Sequence, residues 1–171
     1  EEDDLVSPNF AEVGYTEGVP MGGDLSKAPK GKAPRFVIRT LRDPENANLD
    51  RVQIIKGYID HSGRTYEIIY DVACSNNRKI TNRRCNKPVG NTVNIKDATY
   101  SNNIGDVGLF AFWEDPDFDP SIPAWYYVRV LEIPKPRWSA YDQTRFGIKM
   151  DKDIPMTVQD RAYTSPIWYS P

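Results

Sequence analysis

Residues 64–73, RTYEIIYDVA, alternate well: Tyr66, Ile68, Tyr70 and Val72 share one face, and Thr65, Glu67 and Asp71 share the other. A period of two is what a half-buried strand needs, because successive side chains point to opposite faces of a sheet. The run before it, RVQIIKGYI at 51–59, also has β character, and Asp60-His61-Ser62-Gly63 stands between the two. That is a four-residue turn with a glycine available for positive φ, so the pair forms a hairpin. Further strands are expected at 35–42 (RFVIRTLR), 108–113 and 124–133 (AWYYVRVLEI). The last of these is apolar on both faces except at Arg129 and Glu132, which suits a central strand ended by Pro134 and Pro136. Residues 162–169 supply a final strand interrupted by Pro166.

Helices are few. Ser139 opens a short one, with Asp142 three residues on and Gly147 as its stop. Thr157 with Asp160 marks a second, of a single turn. Residues 1–34 are punctuated by Gly and Pro, as in GVPMGGD at 18–24, and read as turns and extended chain rather than helix. The expected fold is therefore mainly β: an antiparallel β-sandwich with one or two short helices and long loops. Residues 1–34 form an extended N-terminal segment and 35–171 the sandwich, in a single domain overall.

Composition narrows the function. The 171 residues carry 22 Lys plus Arg against 24 Asp plus Glu, a net charge of −2 that argues against a nucleic-acid partner. Apolar runs are only a few residues long, too short for a membrane-spanning helix. A single histidine, His61, rules out a self-contained His-rich metal site and argues against an enzyme acting alone. It lies at a hairpin tip beside Asp60 and Ser62, and neighbours in one turn do not make a catalytic triad. The chain opens on Glu1-Glu2-Asp3-Asp4 without Met or a charged-then-apolar signal, so either the ordinary signals were removed in maturation or, the favoured reading, this is a piece of a longer chain.

Cys74 and Cys85 bracket the polar loop SNNRKITNRR. Their spacing fits neither a metal nor a redox motif, so a disulfide stapling the loop is expected. Closing a loop of that size is worth roughly 3 kcal/mol in the chain-entropy model. A stable disulfide implies an oxidising compartment, the periplasm or the outside of the cell. The loop's Arg78, Lys79, Arg83 and Arg84 are the candidates for docking an anion, since arginine pairs grip carboxylate, sulfate or phosphate bidentately. The plainer account is a solvated loop. Asp115, Asp117 and Asp119 stand two residues apart, as Ca²⁺ ligands do, but Pro120 and Tyr126 stand where an EF-hand needs Gly and Glu. Asp-Pro turn formation explains that run better. Trp113, Trp125, Tyr126, Tyr127, Trp138, Tyr141, Trp168 and Tyr169 could form a sugar platform; alternation assigns most of these rings to a core instead.

Several segments are long and specific together: GVPMGGDL (18–25), LRDPENANLDRVQIIKG (41–57), PVGNTVNIKDATYSNNIG (88–105), WEDPDFDPSIPAWYYVRVLEIPKPRWSAYD (113–142) and RAYTSPIWYSP (161–171). They resemble the C-terminal portion of a large bacterial family of exported proteins with a domain of unknown function. That family is similar to the PHP (polymerase and histidinol phosphatase) and amidohydrolase types of metal-dependent hydrolase. The resemblance implies a non-catalytic β-domain, a fragment that packs on an upstream part of the same protein, retained or lost as a separate chain. The divalent metal and its His- and Asp-rich motifs would lie in that upstream part. No cofactor and no catalytic residue carries over to this chain. Two other readings remain: a free-standing carbohydrate-binding sandwich using exposed Trp or Tyr rings, and a structural subunit that pairs through an open sheet edge.

Overall fold

A computed structural model describes residues 9–27 and 29–171; the acidic opening Glu1–Asp4 lies outside the described residues. In chain order the elements are α1 (Phe10–Glu17), β1 (Asp24–Leu25), β2 (Arg35–Leu41), β3 (Leu49–Ile59), β4 (Thr65–Cys74), β5 (Ile80–Thr81) and β6 (Arg84–Cys85). There follow β7 (Gly108–Glu114), β8 (Ala124–Glu132), β9 (Lys135–Pro136), α2 (Trp138–Phe146), β10 (Thr157–Val158), β11 (Arg161–Tyr163) and β12 (Ile167–Tyr169). One sheet runs in the order β1-β12-β8-β3-β4, with β11 also on β8. A separate ribbon pairs β2 with β7, and short ladders join β5 to β6 and β9 to β10. All pairings are antiparallel except β1 with β12.

The β2–β7 ribbon lies over one face of the large sheet and makes the fold a mainly β sandwich. Phe36, Ile38, Leu109 and Ala111 of the ribbon pack with Val52 and Ile54 of β3, Tyr126 of β8 and Tyr169 of β12. Each such side chain taken out of water contributes about 1.5–3 kcal/mol. The Phe36 ring sits between Trp113 and Tyr126, at centroid separations of 5.7 and 4.8 Å. The hairpin forms as its sequence demands: Ile59 pairs with Thr65, and Asp60 Oδ1 accepts from the Ser62 and Arg64 amides across the turn. Tyr66 stacks on Tyr58 just below the turn. β8 is central, flanked by β3 on one side and by β11 and β12 on the other.

Three local expectations change. Residues 10–17 are helical, although none of them is buried and Gly14 stands mid-helix. That helix rests on local bonds, with Val13 N donating to Asn9 O and Thr16 Oγ1 to Glu12 O. Residues 157–158 are a strand rather than a helical turn, because Thr157 and Val158 pair with Pro136 and Lys135. In α2 Ser139 is not the cap: Arg137 holds that position, and Ser139 Oγ donates instead to Pro155 O at 2.6 Å. The stop is as expected, with Gly147 left-handed at φ 64°.

Cys74 and Cys85 are disulfide-bonded, with Cα atoms 6.0 Å apart, and tie the end of β4 to β6. Between them β5 turns into β6 through Asn82 and Arg83, both at positive φ (50° and 66°), as a tight primed hairpin turn needs. Among the described residues no helix is long and apolar enough to cross a membrane.

Candidate functional site

Period two gives the large sheet an inner and an outer face, and both carry polar chemistry. On the inner face Lys56 is buried with its Nζ 2.6 Å from Asp115 Oδ2 and 2.8 Å from Asp117 O. The Tyr126 hydroxyl donates to the same Asp115 oxygen at 2.7 Å. Next to this pair, Tyr70 donates to Asp117 Oδ2 at 2.6 Å, and Arg83 pairs with that oxygen at 2.9 Å while lying over the Tyr70 ring. Burial, then the hydrogen bond to Asp115, pushes the Tyr126 phenol well above its ordinary pKa. Burial and Asp117 do the same to Tyr70.

The three aspartates of the acidic run therefore have different tasks. Asp115 neutralises a buried lysine, and Asp117 joins the tyrosine–arginine edge. Asp119 accepts from the Ser121 amide and hydroxyl at 2.8 and 2.6 Å, and those bonds hold its pKa below the usual range. They do not converge as a ligand set. Among the described residues the one compact group of metal-ligating types is Asp71, Cys74 and Cys85, and its two sulfurs are joined to each other. His61 Nε2 lies 3.3 Å from Ser121 Oγ, which brings a serine, a histidine and an aspartate together across two exposed turns. The serine hydroxyl donates to Asp119, however, so the imidazole is not placed as the base that a triad requires.

The basic loop also divides. Arg78 is buried and structural: its Nη2 donates to Asp50 Oδ1 and O, both at 2.6 Å, its Nε to Ser75 O and its Nη1 to Lys87 O. Lys79 is exposed and contributes its carbonyl to the Asn86 amide. Arg83 turns to the inner side and Asp117. Arg84, its neighbour in sequence, turns to the outer side, 3.5 Å from Asp71 and half exposed. Of the four candidates, Arg84 joins the outer face, and Arg78 borders the pocket next to it while bonded to Asp50.

That face is ordered in rows across the strands. Trp168, Trp125, Gly57 and Glu67 form the first; Tyr127, Ile55 and Ile69 the second; Tyr163, Arg129, Gln53 and Asp71 the third; Arg161, Leu131, Arg51 and Cys74 the fourth. Aromatic rings thus gather at one end of the face and guanidinium groups at the other. The Trp125 indole lies directly over Gly57: a Cβ there would sit 2.0 Å from Trp125 Cζ2. Trp125 contacts Trp168 at 6.2 Å between centroids, and Tyr127 contacts Tyr163 at 6.3 Å. Trp168 and Tyr163 are 46% and 55% exposed. The expectation that most of these rings are core holds for Tyr126 and Tyr169 and for Trp113, which packs against them, and fails for the rest.

The cationic end is fixed from beneath. Arg129 Nε donates to Gln53 Oε1 at 2.7 Å, and Gln53 Nε2 to Asp71 Oδ1 at 2.6 Å. Asp71 Oδ2 also accepts the Cys85 amide at 2.7 Å, so the disulfide loop and the arginine row share one buried carboxylate. The neighbouring Arg161 guanidinium, and to a lesser degree that of Arg129, favours the phenolate of Tyr163 and lowers its pKa. Beside them Arg51, Arg84 and Lys87 border a pocket of about 330 Å³. Alternation along Trp125, Tyr127 and Arg129, set opposite Gly57, was the sequence signal for this face.

No curated protein and no solved structure matches the chain. One family does, described as a protein of unknown function (DUF3604), and its match extends over residues 1–171. With its whole length matched, the chain belongs to the DUF3604 family.

Proposed function

We propose that this chain is a non-catalytic β-domain that packs on a metal-dependent hydrolase unit of the PHP kind within a longer, exported protein. The observation that carries the proposal is the apolar outer face of the β2–β7 ribbon. Leu41 is 75% and Phe110 52% exposed there, with Arg39 over the Phe110 ring and Val107 exposed at the entry to β7, while Val37 and Phe112 beside them are half-buried and line a cleft with α1. An exposed apolar patch of this kind marks a surface that meets another protein surface. Two further features support the reading. The buried acids and bases, Asp115 with Lys56 and Asp50 with Arg78, are engaged with one another, as in a supporting domain. The Cys74–Cys85 disulfide fits the periplasm or the outside of the cell.

In this scheme the hydrolytic step would belong to the upstream unit, where a bound divalent metal would supply activation of a water toward an ester, amide or phosphoester. The test is intact-mass and metal analysis of the native protein, with N-terminal sequencing. The expected result is a metal-bearing partner segment that co-purifies with residues 1–171 and dissociates when Leu41→Glu and Phe110→Glu are introduced. Native material that consists of this chain alone, or association unaffected by the two substitutions, would overturn the proposal.

A further inference from the structure

The outer face of the large sheet lies opposite the ribbon and is not used by the docking just described. We infer that it binds an acidic polysaccharide, with pyranose rings on the aromatic end and uronate carboxylates on the arginines. The aromatic end is a built platform: Gly57 leaves the space in which the Trp125 indole lies over the sheet, and Trp168 and Tyr163 extend the surface outward. Planar rings held against a sheet offer a wide apolar face to a ligand at little entropic cost.

The other end supplies charge complementarity. Among the described residues Arg129, Arg161, Arg51 and Arg84 share this face with Glu67 and the buried Asp71, and Arg51 also pairs with the buried Asp50 beside it, which leaves the arginines in excess. Arg51 and Arg84 already flank the Asp71 carboxylate, at 3.9 and 3.5 Å, so the cluster is arranged around this type of group. The planar guanidinium fork matches a planar carboxylate bidentately, which favours a uronate over a sulfate ester. A nucleic acid fits less well. Its backbone needs cations along the whole track, whereas here they occupy one end and Glu67 borders the rings.

The experiment is calorimetric titration of the full chain with polygalacturonate, in parallel with dextran, dextran sulfate and poly(dT). Polygalacturonate is expected to bind, to weaken with added salt, and to be preferred over the other three. Trp168→Ala, Tyr163→Ala and Arg161→Ala should each weaken it by about tenfold, with the melting temperature retained. Lys152→Ala, a substitution on an exposed residue away from this face, should leave binding unchanged. Arg161→Ala decides the matter if either ring substitution disturbs folding. Absence of binding, equal binding of dextran, tighter binding of dextran sulfate or poly(dT), or affinity unchanged by Arg161→Ala would each overturn the inference. None of these outcomes depends on whether a hydrolase unit docks on the ribbon.

Discussion

Lys56 Nζ lies 2.6 Å from Asp115 Oδ2, and neither side chain reaches solvent to any useful extent. Removing one partner strands a buried charge, so Asp115→Asn is expected to cost about 3–5 kcal/mol. The double variant Lys56→Met, Asp115→Asn should recover a large part of that loss, because it leaves no uncompensated charge. Urea unfolding of the two single variants and the double variant gives the coupling energy. A double variant as unstable as the sum of the singles would show that the two side chains act independently.

The Cys74–Cys85 bond closes a loop that also delivers the Cys85 amide to Asp71. Replacing both cysteines with alanine should lower stability by about 2–4 kcal/mol. The loss should be visible as a fall in melting temperature and reproduced in the unmodified protein by a reductant. Because Asp71 also holds Gln53, hydrogen exchange should speed up at Gln53 and Arg129 as well as in the loop.

Much of the sheet was legible because its strands are half-buried, and burial on one face writes a period of two. The 64–73 run is the clearest case. α1 was not legible, since it buries no residue fully, only Phe10 and Val13 being half-buried, and so leaves a weak apolar period, while Gly14 and Gly18 read as breakers. Residues 157–160 carry the spacing of a helix start, but a partner strand decided their conformation, and partners are not visible locally. The outer face was hidden for a related reason. Ile55 and Leu131 are buried beneath its rings and arginines, so β3 and β8 look apolar on both faces and the alternation is blurred. The acidic and basic runs misled through proximity in sequence, because adjacent residues such as Arg83 and Arg84 face opposite sides of the sheet.

Gly57→Ala tests the packing that sets the Trp125 ring. A methyl group cannot share the space of the indole, so the ring must lift from the sheet. The expected cost is about 1–3 kcal/mol, with a red shift of tryptophan emission as Trp125 gains solvent. Unchanged emission would place the indole elsewhere in solution.

Glu132 gives the protein an acid-range pH dependence. Lys135 Nζ lies 3.4 Å from Glu132 Oε2 but is directed to Asp160 and Asn46, and Oε2 is buried without a hydrogen bond. Burial raises the Glu132 pKa above its ordinary 4.5, against the opposing influence of Lys135. A raised folded-state pKa means that the folded protein binds more protons than the unfolded one within that window. The contribution of Glu132 is therefore full below pH 4.5 and declines as pH rises through the raised value. The melting temperature of the wild type minus that of Glu132→Gln should fall over this interval and then level off. A difference that rises with pH would reverse the assignment.

β1 pairs only with β12, and β12 occupies residues 167–169 while bridging β1 to the central strand β8. A ribosome finishes β8 well before it reaches Ile167, so one flank of the central strand stays open during synthesis, with its amides and carbonyls unpaired. Until residues 161–169 emerge, that flank is a template for any extended segment nearby. The order of synthesis thus leaves the sheet unfinished longest along the flank of its central strand, and a chaperone that guards this chain should be found on β8.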